Sequence, residues 1–214
     1  MAVKRLLGVV VPVVFLASSV LAQVNEASFT AGKTFVSTQT VYNSGLSFNP
    51  TLHFGNEETV AFNYGRLLTV KKGMAIHVEL PVAIYFRMDL NTAYHGIPKD
   101  IGALFVTPSV RVNFFGRDSL TPWVSAGGGY GRFRYAPDLN FYGTSQGPGG
   151  GNTGVIQFGG GLDSWLFHNW GARLEARDFY SGEPDLNGIA GVNITTNKSR
   201  QHNYYVGVGV MYRF

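Results

Sequence analysis

Two-residue alternation constrains this chain more than any other feature. It is sustained over segments of about 11–14 residues, roughly twice the usual globular strand of about 5–6. From Met74 to Arg87, one face carries Met74, Ile76, Val78, Leu80, Val82, Ile84 and Phe86. The other carries Ala75, His77, Glu79, Pro81, Ala83, Tyr85 and Arg87, and so holds every charge. Leu104, Val106, Pro108, Val110, Val112 and Phe114 stand in the same way against Phe105, Thr107, Ser109, Arg111 and Asn113. Ile156, Phe158, Gly160, Leu162 and Leu166 oppose Gln157, Gly159, Gly161, Asp163 and Trp165, with Ser164 the one polar residue on the apolar side. Arg173, Glu175 and Arg177 alternate with Ala172, Leu174 and Ala176, and Tyr204 to Phe214 repeats the pattern. A strand tilted across a bilayer needs about 9–11 residues, so segment length favours the membrane.

The connections alternate too. Lys71-Lys72-Gly73, Gly116 to Ser119 and His168 to Trp170 are short and sit where hairpin turns belong. Between them run long polar stretches rich in Gly, Pro and Asn: Asp89 to Gly102, Ala136 to Asn152 and Gly182 to Gln201. With a first strand near Ser28 to Val36 and a loop to about Asn56, the pattern predicts eight antiparallel strands, up and down. Long loops lie at one end, and short turns and both termini at the other. Three strands are less regular. The alternation Val60, Phe62, Tyr64 breaks at Arg66 and Leu67-Leu68, as at a bulge. Phe48, Leu52 and Phe54 are half strand-like, and Arg132 interrupts the apolar face of the fifth strand at or above its membrane boundary.

Alternation alone does not say which face turns inward. A secreted lipocalin-like barrel would turn its apolar face to a ligand cavity. Glycine tilts the choice toward the membrane, with a secreted barrel binding an apolar ligand kept as an alternative: the chain has 28 glycines. Gly127, Gly129, Gly159, Gly161, Gly207 and Gly209 share the charged face, and a narrow lumen mixes small residues with long polar ones. Aromatic residues cluster toward strand ends, as in the two girdles of a membrane barrel. Trp123, Phe114, Trp170, Tyr212 and Phe214 are expected at the short-turn end, and Phe86, Tyr130, Tyr180 and Tyr204 at the long-loop end. Charged residues make up only 14% of the chain, against about 25% for an ordinary soluble surface.

The first residues explain how such a chain leaves the cytoplasm. Lys4 and Arg5 precede an apolar run from Leu6 to Leu16, and Val20-Leu21-Ala22 supplies a cleavage site. Residues 1–22 are read as a signal peptide and 23–214 as the barrel domain. Losing Lys4 and Arg5 from the 17 basic residues leaves 15 against 13 acidic ones, too small an excess for a nucleic-acid partner. There is no Cys, which excludes disulfides, thiolate metal sites and a thiol nucleophile.

The closing segment Tyr205-Val206-Gly207-Val208-Gly209-Val210-Met211-Tyr212-Arg213-Phe214 resembles the last strand of bacterial outer-membrane proteins. In that resemblance Phe214, with Tyr212, Val210, Val208 and Val206 at alternate positions, implies a signal read by the barrel assembly machinery. The eight-strand plan is similar to the small OmpA-, OmpX- and OmpW-type barrels and covers essentially the whole mature chain. It implies an outer-membrane location, with membrane lipid and lipopolysaccharide as surroundings. No peptidoglycan-binding domain follows, so tethering of that kind is not expected. The fold hosts adhesins, structural proteins, narrow pores and lipid A enzymes, and so does not by itself assign an activity.

The lumen charges carry the most chemistry. Glu79, Arg87, Arg111, Asp163, Arg173, Glu175, Arg177 and Arg213 are all expected to face inward, where buried charges must be paired or wetted. A salt-bridged plug is the expectation, since an eight-stranded lumen is just wide enough for side chains to fill. The alternative is a narrow channel, which five basic against three acidic residues would bias toward anions. A lipid deacylase would need a His and a Ser close together on a lipid-facing strand with a carboxylate beside them. None of His53, His77, His95, His168 and His202 has a Ser two residues away, so no enzyme is expected. His53, His95 and His202, although all possible at the external end, lack a ligand pattern, and no metal or cofactor is expected. The glycine runs at 127–129 and 159–161 lie inside strands and are not phosphate loops. The loops, among them Gly147 to Asn152, are the expected place for any extracellular ligand. A monomer is expected.

Overall fold

The computed structural model describes residues 24–37, 39–42, 51–54, 57–91, 100–115, 120–135, 151–182, 195–196 and 200–214. The expected leader lies outside them. Twelve strands form: β1 Asn25–Val36, β2 Gln39–Tyr42, β3 Thr51–Phe54, β4 Glu57–Lys71, β5 Met74–Asn91, β6 Asp100–Val106, β7 Ser109–Phe114, β8 Leu120–Tyr135, β9 Asn152–Trp165, β10 Trp170–Gly182, β11 Thr195–Thr196 and β12 Arg200–Arg213.

Eight staves make the wall, because β6 and β7 are two parts of one. The order around the barrel is β1, β4, β5, β6 with β7, β8, β9, β10, β12, every neighbour antiparallel. β12 then pairs with β1 from Glu26↔Arg213 to Val36↔Asn203, and the sheet closes without an edge. The fourth stave is interrupted at Thr107-Pro108, since Pro108 has no N–H to give. Its register survives the break: Val82↔Val106 above and Glu79↔Ser109 below lie on one ladder. The irregularity expected near Leu67-Leu68 is a register shift between Leu67 and Thr69. Lys72 and Gly73, with φ of 51° and 79°, form the two-residue turn between β4 and β5, where positive φ at both positions matches the twist of the strands.

Part of the long-loop material is also strand. β3 pairs with the outer end of β5 at His53↔Asn91, β2 pairs with β3, and β11 pairs with β2. These short strands extend the wall beyond the barrel at its long-loop end.

The apolar face points outward. Val78, Val110 and Val208 are 44%, 51% and 62% exposed, which rules out a lipocalin-like interior lined by them. Phe29, Phe62, Leu80, Val124, Phe158 and Leu174 join the same outer band. At the short-turn end Trp170 and Tyr212 pack with ring centroids 4.8 Å apart, and Phe214 lies beyond them. Trp123 corrects the expected girdle. It is only 2% exposed and faces the lumen, because it shares the parity of Thr121 and Ser125, both inward.

Candidate functional site in the lumen

The inward residues form two tiers. Toward the short turns lies a charged tier. Arg173 forks onto Asp163, with Nε to Oδ1 and Nη2 to Oδ2 both 2.8 Å. Its Nη1 donates to Ser28 Oγ at 3.0 Å and its Nη2 to Glu26 Oε1 at 3.2 Å. Arg177 bridges two carboxylates: Nε to Glu175 Oε2 at 2.8 Å and Nη1 to Glu79 Oε1 at 2.9 Å. Arg111 pairs with Glu26 and lies 3.6 Å from Glu79 Oε2. Neutral donors occupy remaining carboxylate lone pairs. Thr30 Oγ1 donates to Glu175 at 2.5 Å, Ser109 Oγ to Glu79 at 3.0 Å, and Trp123 Nε1 to Asp163 at 3.0 Å. Tyr205 Oη in turn donates to Thr30 Oγ1 at 2.8 Å. This is how a low-dielectric lumen holds charge: opposite charges in contact, with oxygen lone pairs further occupied by hydroxyl and indole donors.

Trp123 sits at the centre of this tier. The guanidinium carbons of Arg177, Arg173 and Arg111 lie 5.0, 5.3 and 5.7 Å from its ring centroid, within cation–π range. Glycine makes the room. A methyl group on Gly161 would come 2.7 Å from Trp123 Cζ2, and one on Gly159 would come 2.9 Å from Arg177 Cγ. Gly159 and Gly161 thus leave space for Arg177 and Trp123, while at Gly127, Gly129 and Gly209 an added methyl group would meet the backbone of the next strand.

Toward the long loops the lumen turns aromatic. Phe105 is its hub. It stacks on Phe179 at 5.1 Å and meets Tyr85 and Phe133 edge-on at 5.5 and 5.9 Å. Ile101, Ala103 and Val155 complete the buried set. Polar groups here are anchored too: Tyr85 Oη donates to Asn203 Oδ1 at 3.2 Å, and Asn203 Nδ2 donates to the Phe179 carbonyl at 2.7 Å.

Six of the eight lumen charges read from the sequence, Glu79, Arg111, Asp163, Arg173, Glu175 and Arg177, come together in the charged tier. Arg213 stands apart at the short-turn mouth, half-buried, its guanidinium 3.7 Å from the Trp165 ring centroid. The Arg87 side chain lies outside the described residues. Glu26 was missed, because the first strand was begun at Ser28. Its signal was present, as Glu26, Ser28 and Thr30 alternate with Ala27, Phe29 and Ala31. With Glu26 included, four buried carboxylates face three buried guanidiniums, and the expected bias toward anions disappears. His77 is buried beside them, 4.0 Å from Glu26.

On the outer surface the sheet pairs His202 with a carboxylate from the neighbouring strand: Nδ1 lies 2.7 Å from Asp178 Oδ2. A search along single strands does not find this pair. The His202 ring packs between Tyr180 and Tyr204, and Ser37 Oγ accepts only from the His202 backbone N–H, at 3.4 Å. Among the described residues no hydroxyl is hydrogen-bonded to the ring, and no group of three potential ligands gathers for a metal. His53 and His95 fall outside the described side chains. The alternating residues Val206, Val208, Val210, Tyr212 and Phe214 are all exposed on the outer face of β12 or just past it.

No protein-family model and no curated protein sequence matches the chain. Solved structures do. The outer membrane protein OprG from Pseudomonas aeruginosa aligns over 90% of this chain and 95% of its own, with TM-score 0.57 and 13% identity. The outer membrane protein AlkL, determined by solid-state NMR in lipid bilayers, aligns over 92% and 93%, with TM-score 0.54 and 18% identity. At such identities the likeness speaks for the fold, and the outward apolar band speaks independently for a lipid environment. Together they make this chain a closed, eight-stranded transmembrane β-barrel of the small bacterial outer-membrane type.

Proposed function

We propose that the protein is an integral outer-membrane barrel with a closed lumen, whose role is structural or surface-directed and involves no catalysis. The observation that carries this reading is the double filling of the lumen, by paired charges and then by packed aromatic rings. A conduit for ions needs a continuous wet path. Arg111, Arg173 and Arg177 are instead tied to carboxylates at almost zero exposure, and Phe105 lies across the other end with no exposed surface. The long connections face outward from the cell, as in other barrels with short periplasmic turns, and are the surface on which an extracellular ligand would act. Val206, Val208, Val210, Tyr212 and Phe214 serve as the assembly signal, and the barrel works as a monomer.

Planar-bilayer conductance of the purified, refolded protein tests the closed lumen. Wild type is expected to pass no steady current. With a second tier in series, current is expected only when Glu175→Ala is combined with Phe105→Ala. A conducting wild type would overturn the reading in favour of a narrow channel for ions or small solutes.

A further inference from the structure

The outer face of the barrel is not uniform where it leaves the apolar band. On β8 the outward row runs Leu120, Pro122, Val124, Ala126, Gly128, Tyr130, Arg132, Arg134. Leu120 to Tyr130 spans ten residue steps, or about 33 Å of strand. Tilted by about 40°, that length covers a height of about 25 Å, which is the height of an apolar band in this class of barrel. Arg132 and Arg134 therefore stand just above the hydrocarbon, at headgroup level on the long-loop side. Both are exposed. Alternate residues of one strand lie about 7 Å apart, a spacing that lets two guanidiniums converge on one phosphoryl group.

Across the strands Arg132 faces Leu104 and Asn152, and Arg134 faces Gly102. Gly154, opposite Tyr130, borders open space, for a methyl group there would touch nothing within 4 Å. Tyr130 Oη donates to Asn152 Oδ1 at 2.6 Å, which fixes the Asn152 amide on the strand position opposite Arg132. Among the described residues no carboxylate pairs with Arg132 or Arg134. Other outward cations at this end differ: the Arg200 guanidinium lies 5.6 Å from the Tyr180 ring centroid. Lys33 lies directly opposite Glu58, and His202 is paired to Asp178. Arg132 and Arg134 thus stand as a pair at alternate positions of one strand, both exposed at the rim.

We infer that Arg132 and Arg134, with Tyr130 and Asn152 beside them, form a binding site for the phosphorylated headgroup of a glycolipid in the outer leaflet. Arginine suits this task because its planar fork takes two phosphate oxygens at once. The tyrosine and the apolar row below it lie along the acyl chains of the same lipid. This rests on the outward orientation of the long loops proposed above.

The test uses full-length refolded protein in detergent micelles, with bisphosphorylated lipid A and its dephosphorylated counterpart as probes, read by native mass spectrometry. Wild type is expected to prefer the phosphorylated lipid, and Arg132→Gln with Arg134→Gln to reduce that preference about tenfold. Lys33→Gln, a charge removed from a sector that also carries Glu58, is expected to leave the preference unchanged. Heat-modifiable gel mobility checks that each variant is folded, and Arg134→Gln alone serves if the double variant is not. Equal binding of the two lipids would overturn the site. So would a preference that survives the double change, or one that falls as far in Lys33→Gln. Orientation is read separately, from labelling of a Gly147→Cys variant on intact cells by an impermeant maleimide. Failure there would remove the outward-loop reading without touching the affinity result.

Discussion

The two lumen tiers fill the same barrel by opposite means. The charged tier is built from groups that prefer water, and it is stable only because each carboxylate meets a guanidinium, a hydroxyl or an indole N–H. Its members are interdependent, so removing one leaves others unpaired. The aromatic tier is built from groups that prefer to leave water, and its loss is graded, since a removed ring takes away area and leaves a cavity. A barrel this narrow has room for both solutions and places them at different depths, ions on the short-turn side and rings beneath the long loops.

That contrast yields a ranked set of outcomes. The largest effect is expected from Arg177→Ala, which leaves Glu175 without a guanidinium and Glu79 with only Arg111 at 3.6 Å. Urea titration in lipid vesicles should show a loss of about 3–5 kcal/mol. Phe105→Ala should cost slightly less, about 3 kcal/mol, with no change in conductance while the charged tier stands. A larger loss from Phe105 than from Arg177 would break the distinction between the tiers. Trp123→Phe keeps the ring but removes the hydrogen bond to Asp163, and about 1–2 kcal/mol is expected from the same titration. The smallest response should come from raising salt from 0.1 to 1 M, because buried pairs are poorly screened. A shift below about 1 kcal/mol is expected, and a large one would mean that ions reach the charged tier.

Much of this was legible in the sequence. Alternation fixed the faces of Met74 to Phe86 and Tyr204 to Tyr212, and the placement of glycine with the charges fixed which face is the interior. Depth and cross-strand partners were not legible. Parity assigns Trp123, Phe105, Phe133 and Phe179 to the inward face, but their meeting depends on the stagger of strands far apart in sequence. Adjacent aromatics such as Tyr85-Phe86, Phe179-Tyr180 and Tyr204-Tyr205 serve both faces at once, one ring in the lumen and one on the lipid side. Counting aromatics near strand ends therefore credited the girdles and overlooked the interior. The Asp178–His202 pair was hidden for the same reason, since a carboxylate 24 positions away is beside the imidazole only once β10 and β12 are zipped.

The seam between β1 and β12 has a kinetic consequence. Asn25 and Phe214 exchange backbone hydrogen bonds at 2.9 Å in both directions, joining strands far apart in sequence. Every other pair of adjacent staves is close by in sequence and closes only a short loop. This junction does not, and the entropy of joining such distant partners is the greatest among the stave pairings. Until it forms, the cylinder is an open, curled ribbon with two raw borders, so the time spent waiting for that final zip is when the polypeptide is most exposed to pairing with the wrong neighbour.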